Sequence, residues 1–240
     1  MKKRIWELDA LRGLCVLGMV AVHFIFNMVE MFGLLDWEYP EWFVLLKDWG
    51  GLFFLLISGI CVTLGSHCLK RGLVVFGCGL ICTAVTWAMV QLGYMDPSMI
   101  IWFGVLHCLG VCMLLWPVFS RLPGWLLALF GTAIVLGGFY LVYHIRVDTW
   151  LLVPFGVPFP EFATPDYFPL LPYFGLFLMG AALGKSLYKN KTTLFPRVNP
   201  KNPIIVFFGL LGRYSLGIYL LHQPVLSAVC YGISILEGGL

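Results

Sequence analysis

Apolar residues run along this chain in long blocks parted by short polar stretches, and seven blocks reach the roughly 20 residues a helix needs to cross about 30 Å of hydrocarbon. They lie near 10–32, 49–67, 73–94, 100–119, 125–143, 168–186 and 212–235. The pattern predicts an all-α, polytopic integral membrane helix bundle of about seven transmembrane helices. Residues Ile204 to Leu211 prolong the last block beyond one span and predict a separate inner-surface or re-entrant helix, with Gly212 as the break. The joining stretches are short except for His144 to Tyr167 and Tyr188 to Asn202. The first of these, rich in Pro and aromatic residues, suits a stiff segment lying over a bundle mouth.

Within the first block the polar positions are not scattered. At about 100° per residue, Asp9, Arg12, His23, Asn27 and Glu30 project within an arc of about 60°, a single seam on one helix. Arg12 and His23 are eleven residues apart, about 17 Å along the axis. Ionisable groups at such depth face a bundle interior or a water-filled cavity, and they mark functional sites by default. Local readings compete with that: Asp9 and Arg12 can form an i, i+3 ion pair, and His23 with Asn27 can join helices. Yet Arg12 stands in a first turn, where the helix dipole favours an anion; with the basic residues before it, this end suits a phosphate-bearing ligand from the cytoplasm.

Composition supports the membrane reading: 60% of residues are hydrophobic, 11% are charged, and the mean hydropathy is +0.92. The basic start is followed by an apolar run too long for a signal-peptide core, so it reads as a retained first span. Seven of the eight cysteines fall in apolar segments as small hydrophobes, and no CxxC occurs. A net charge of +3 is too small to imply nucleic acid. Its distribution says more. Thirteen Lys and Arg residues fall on one side of the predicted spans and only Lys47 and Arg146 on the other, which predicts a cytoplasmic N-terminus and an outer C-terminus. No internal repeat is seen, so a transporter built from two related halves is not supported.

Two further imidazoles stand in predicted spans, His107 in the fourth and His222 in the seventh, and with His23 they can meet in the outer half of the bundle. Each alone is as well explained by an interhelical hydrogen bond. A proton-coupled solute transporter and a haem-binding membrane subunit use similar residues.

Five stretches carry a family resemblance. LDALRG at 8–13 followed by His23, and GGLFFLLISG at 50–59, resemble the transmembrane acyltransferase superfamily. FGVLHCLGV at 103–111, DYFPLLPYFGLFLMG at 166–180 and LGRYSLGIYLLHQPVL at 211–226 resemble bacterial members of the heparan-α-glucosaminide N-acetyltransferase catalytic-domain family. The lysosomal branch has Asn where His23 stands and keeps a His in the following loop; here the loop from Gly33 to Lys47 has none.

The resemblance implies one catalytic domain over 1–240, in the cell inner (plasma) membrane, that moves acetyl from cytoplasmic acetyl-CoA across the bilayer to an extracytoplasmic glycan or amino sugar. No metal is expected. In that reading His23 is the general base, with Asn27 and His107 orienting it or stabilising the oxyanion. Asp9, Arg12, Arg213 and His222 line the path of acetyl-CoA, and Glu30 and Asp166 meet the acceptor. The small residues from Gly131 to Gly138 can support a homo-oligomer.

Overall fold

The computed structural model describes residues 4–145, 147 and 149–236, without the side chains of residues 48, 142 and 143. Lys2, Lys3 and Arg146, which enter the count of basic residues, lie outside the described residues. Among the described residues eight α-helices follow one another: α1 Trp6–Phe26, α2 Glu41–Leu64, α3 Cys68–Gln91, α4 Val105–Phe119, α5 Gly124–His144, α6 Leu170–Leu187, α7 Pro203–Arg213 and α8 Ser215–Leu236. No strand is found among the described residues. Six stretches are long and apolar enough to cross a membrane: α1 with its extension to Met31, α2, α3, most of α5, α6 and α8.

The fourth expected span differs. Its helix begins only at Val105 and runs for 15 residues, about 22 Å. Residues Ile100 to Gly104 ahead of it are not helical, and their backbone is bonded by side chains instead. Ile100 O accepts from Thr164 Oγ1 at 2.7 Å, Ile101 O from Thr83 Oγ1 at 2.6 Å, and Ile101 N–H donates to Thr86 Oγ1 at 3.1 Å. Phe103 O accepts from Phe168 N–H at 3.0 Å. Such irregular backbone is tolerated at membrane depth only when protein surrounds and bonds it, and Ile100 and Phe103 are both buried. Most of α4 is buried too, from Val105 to Leu109 and again at Cys112, Met113 and Trp116, which makes it a core helix of its unit. Hydropathy alone does not separate a buried core helix from a span.

The helices gather into two compact units, residues 1–54 with 193–240 and residues 55–192. In the first, α1 packs on α7 and α8. The approach of α1 to α7 requires glycine: a Cβ on Gly13 would lie 1.9 Å from Phe208 O, and one on Gly212 would lie 1.8 Å from Asp9 O. Gly212 therefore serves packing. The break expected there falls two residues on, at Tyr214, between α7 and α8. Glu7 anchors the stretch before α7, its carboxylate accepting from Leu194 N–H at 2.8 Å and from Thr193 Oγ1 at 2.9 Å.

In the second unit α3 and α6 pack on α4, and α5 lies along α6. The aromatic connection before α6 holds a 3-10 turn, Trp150–Phe155, tied by Tyr167 OH donating to Val153 O at 2.6 Å. Trp150, Phe159, Phe162 and Tyr167 pack ring against ring beneath it.

Candidate functional site

Within the first unit, α1 carries chemistry at both ends. The N-cap residue Ile5 offers no side-chain cap, and the helix start is a positive dipole end. Glu7 and Asp9, each 5% exposed, are the acidic residues of that turn, and Asp9 faces the arginines. Its Oδ1 accepts from the Arg12 guanidinium; its Oδ2 lies 3.3 Å from Arg4 Nε and 3.9 Å from Arg213 Nε. One carboxylate thus gathers three guanidiniums and leaves an excess of two positive charges. Arg12 also retains a buried Nε–H with no partner. Beside this cluster is a cavity of about 200 Å³, lined by Arg4, Trp6, Asp9 and Arg213 and by Pro200, Ile205, Val206, Gly209 and Leu210. At roughly 30 Å³ of liquid volume per water, it has room for a phosphate-sized group. Asp9, Arg12 and Arg213, predicted together, are brought together. Arg4, one of the basic residues ahead of the helix that the sequence places at this end, joins them through Asp9.

Toward its other end α1 changes pitch. Residues Asn27–Met31 form a π-helical turn, with Phe32 N–H donating to Asn27 O at 2.9 Å. Turns of this kind recur at functional sites. The wider turn also rotates Glu30 off the seam expected for an unbroken α-helix: Glu30 is exposed, whereas Asn27 is fully buried. Glu30 instead neighbours Tyr39 in the loop that follows. Burial first and the Glu30 carboxylate second push the Tyr39 phenol up from its ordinary range.

Asn27 faces α8, where its Oδ1 accepts from Gln223 Nε2 at 2.9 Å and its Nδ2 reaches Ser227 Oγ at 3.5 Å. One turn earlier, His23 meets His222 of α8 edge to face, ring centroids 4.8 Å apart. The backbone sets the tautomer of both imidazoles. His23 Nδ1 is 2.9 Å from Met19 O, and His222 Nδ1 bonds Tyr219 O. A carbonyl oxygen only accepts, so each neutral ring carries its hydrogen on Nδ1 and a lone pair on Nε2. His222 Nε2 is buried with no partner, as is Gln223 Oε1. Gln223 and Ser227 were not singled out in the sequence; the spacing Gln223-x3-Ser227 puts both on one face of α8, a signal that needs the knowledge that Asn27 lies opposite.

His107 and Asp166 belong to the second unit and make a different site. His107 is 3% exposed. Its Nδ1 accepts from Gly104 N–H at 3.2 Å, so its hydrogen is on Nε2, which donates to Thr83 Oγ1 at 3.3 Å. Both nitrogens are occupied. Asp166 Oδ2 accepts from Val105 N–H at 3.1 Å, placing a carboxylate at the N-terminus of α4, where the dipole favours it. A Cβ on Gly104 would lie 2.1 Å from Asp166 Oδ2, so a larger residue there would displace the carboxylate. These bonds cap a helix.

Six apolar helices of spanning length, with arginines round a buried carboxylate and His23 deeper along α1 beside His222 of α8, describe a multi-pass helical membrane protein with a polar line along its first helix. The family described as heparan-alpha-glucosaminide N-acetyltransferase, catalytic, matches residues 4–224, and the chain belongs to it. That membership implies transmembrane acetyltransferase activity, and the match extends over both compact units. No curated protein and no solved structure matches the chain.

Proposed function

We propose that the chain works as one catalytic domain over 1–240 that takes an acetyl group from cytoplasmic acetyl-CoA and delivers it to an amine or hydroxyl of an extracytoplasmic sugar. The domain sits in the cell inner membrane with its N-terminus in the cytoplasm and its C-terminus outside, the orientation favoured by the basic residues near the span ends. The observation that carries the reading is the arrangement along α1: an arginine cluster with excess positive charge at its start, and the His23–His222 pair about 17 Å further on. A pantetheine arm is of the right order to reach from one to the other.

The CoA phosphates belong at Arg12, Arg4 and Arg213, where charge-assisted bonds to a planar guanidinium are strong and directional. Arg12 Nε–H, unpaired and buried, supplies a donor for them. The thioester then ends near the imidazole pair, whose Nε2 lone pairs can accept the acceptor's proton. Asn27, held by Gln223, orients the groups around that pair. His107 and Asp166 support the reading less directly, by shaping the entry to α4. Glu30, exposed at the end of the π turn, stands where an acceptor carrying a cation can be met.

The test is transfer by purified protein from labelled acetyl-CoA to a panel of amino sugars and neutral sugars, together with acetyl-CoA binding measured by calorimetry. The account expects binding and saturable transfer. A proton-coupled transporter built on the same groups would need no nucleotide, so absence of both binding and transfer would refute the reading.

A further inference from the structure

The pair formed by His23 and His222 offers two bases, and the first-helix motif points to His23. The bonding around α8 points elsewhere. We propose that His222 is the residue that takes the acceptor's proton, through Nε2, and that His23 positions its ring; this rests on the acetyltransferase reading above.

Three observations carry it. Tyr219 O holds the His222 hydrogen on Nδ1, so Nε2 presents a lone pair. That atom is buried and unpartnered, and an unsatisfied buried acceptor is costly unless a donor arrives. Gln223 Oε1, on the next residue, is a second buried acceptor without a donor, although its own Nε2 is bound to Asn27. Two orphaned acceptors on consecutive residues, both on the side of α8 that meets α1, call for a ligand bringing N–H or O–H groups. His23 contributes packing: its ring stands edge to face against His222 and fixes the plane in which Nε2 points.

The step balances without any further reagent. As the acceptor nitrogen or oxygen attacks the acetyl carbonyl, its proton passes to His222 Nε2, and the Nδ1–H bond to Tyr219 O steadies the imidazolium. The tetrahedral intermediate collapses, the C–S bond breaks, and the sulfur leaves with the electron pair. Nε2 returns the proton to sulfur, releasing CoA thiol and restoring neutral His222.

Three variants of the full chain test this. His222→Asn keeps a side-chain N–H for Tyr219 O but has no Nε2; it is expected to lose transfer by about 100-fold or more while acetyl-CoA binding changes less than about twofold. His222→Ala should regain part of the lost rate when imidazole is added, an effect that a packing role does not produce. His23→Asn should lose only about tenfold, as a positioning residue. Site-resolved labelling with diethyl pyrocarbonate, which reacts at a free imidazole nitrogen, is expected at His222 and not at His107, whatever the activity. The proposal is overturned if His222→Asn transfers within about threefold of the parent, if His23→Asn falls as far as His222→Asn, or if His222 resists labelling. A parent that labels at His222 but neither binds nor uses acetyl-CoA overturns the acetyltransferase reading and this proposal with it, whereas an active parent with an active His222→Asn overturns this proposal alone.

Discussion

His222 and His107 are both imidazoles inside apolar helices, and they differ in what remains once the protein has bonded them. At His107 the Gly104 backbone N–H supplies a donor and the Thr83 hydroxyl an acceptor, and no capacity is left over. At His222 one carbonyl consumes Nδ1 and the other nitrogen stays buried and bare. The same side chain is a helix cap in one unit and a candidate base in the other. What decides is the count of partners, not depth in the membrane or helical phase.

Removing the free imidazoles tests that contrast most strongly. The double variant His23→Ala/His222→Ala should lose transfer by a factor of about 10² to 10⁴, the range for a general base, with acetyl-CoA binding retained. Retained turnover would show that neither nitrogen is used.

Next comes the charged end of α1. Arg12→Ala removes a charge-assisted contact worth about 1.5–3 kcal/mol, so donor affinity should fall about 10- to 100-fold with kcat little changed, as measured by calorimetry and KM. Arg12→Lys should rescue only partly, since a point charge cannot replace the fork. Normal donor binding by Arg12→Ala would reduce Asp9, Arg4, Arg12 and Arg213 to a structural cluster.

His107→Ala should behave in the opposite sense from the pair. It strands Gly104 N–H in a buried place, so thermal unfolding in detergent should report a loss of about 1–3 kcal/mol, while transfer per folded molecule stays within a few-fold. A folded His107→Ala that is inactive would make His107 a reacting group and erase the contrast.

The smallest effect concerns the loop after the π turn. Tyr39 ionises above its unfolded range of about 10, because it is partly buried and faces Glu30. The native state therefore holds that proton more tightly than the unfolded chain does. Its stabilising contribution is full below pH about 10 and is lost as pH rises through the folded value. Tyr39→Phe should flatten the alkaline fall in unfolding temperature, and an unchanged slope would mean that the phenol is not involved.

The helical membrane class was legible because hydropathy reports burial in lipid directly, and six of the seven expected blocks are helices of spanning length. The seventh misled for a physical reason: Ile100 to Gly104 is as apolar as a helix, but Thr83, Thr86, Thr164 and His107 supply bonds from elsewhere and let it unwind. In the candidate site, Asp9 with Arg12 could be paired by spacing alone, as could His23 with Asn27. The addition of Gln223 and Ser227 could not, because each reaches its partner between helices. Nor could the π turn be read, and it is what takes Glu30 off the seam.

Transfer of acetyl across the bilayer makes sidedness the decisive readout. Sealed vesicles of known orientation would receive labelled acetyl-CoA on the cytoplasmic face and a membrane-impermeant amino sugar on the other. The account predicts labelled acetyl-sugar only in that arrangement, abolished by His23→Ala/His222→Ala. Transfer only when donor and acceptor share one face would contradict it.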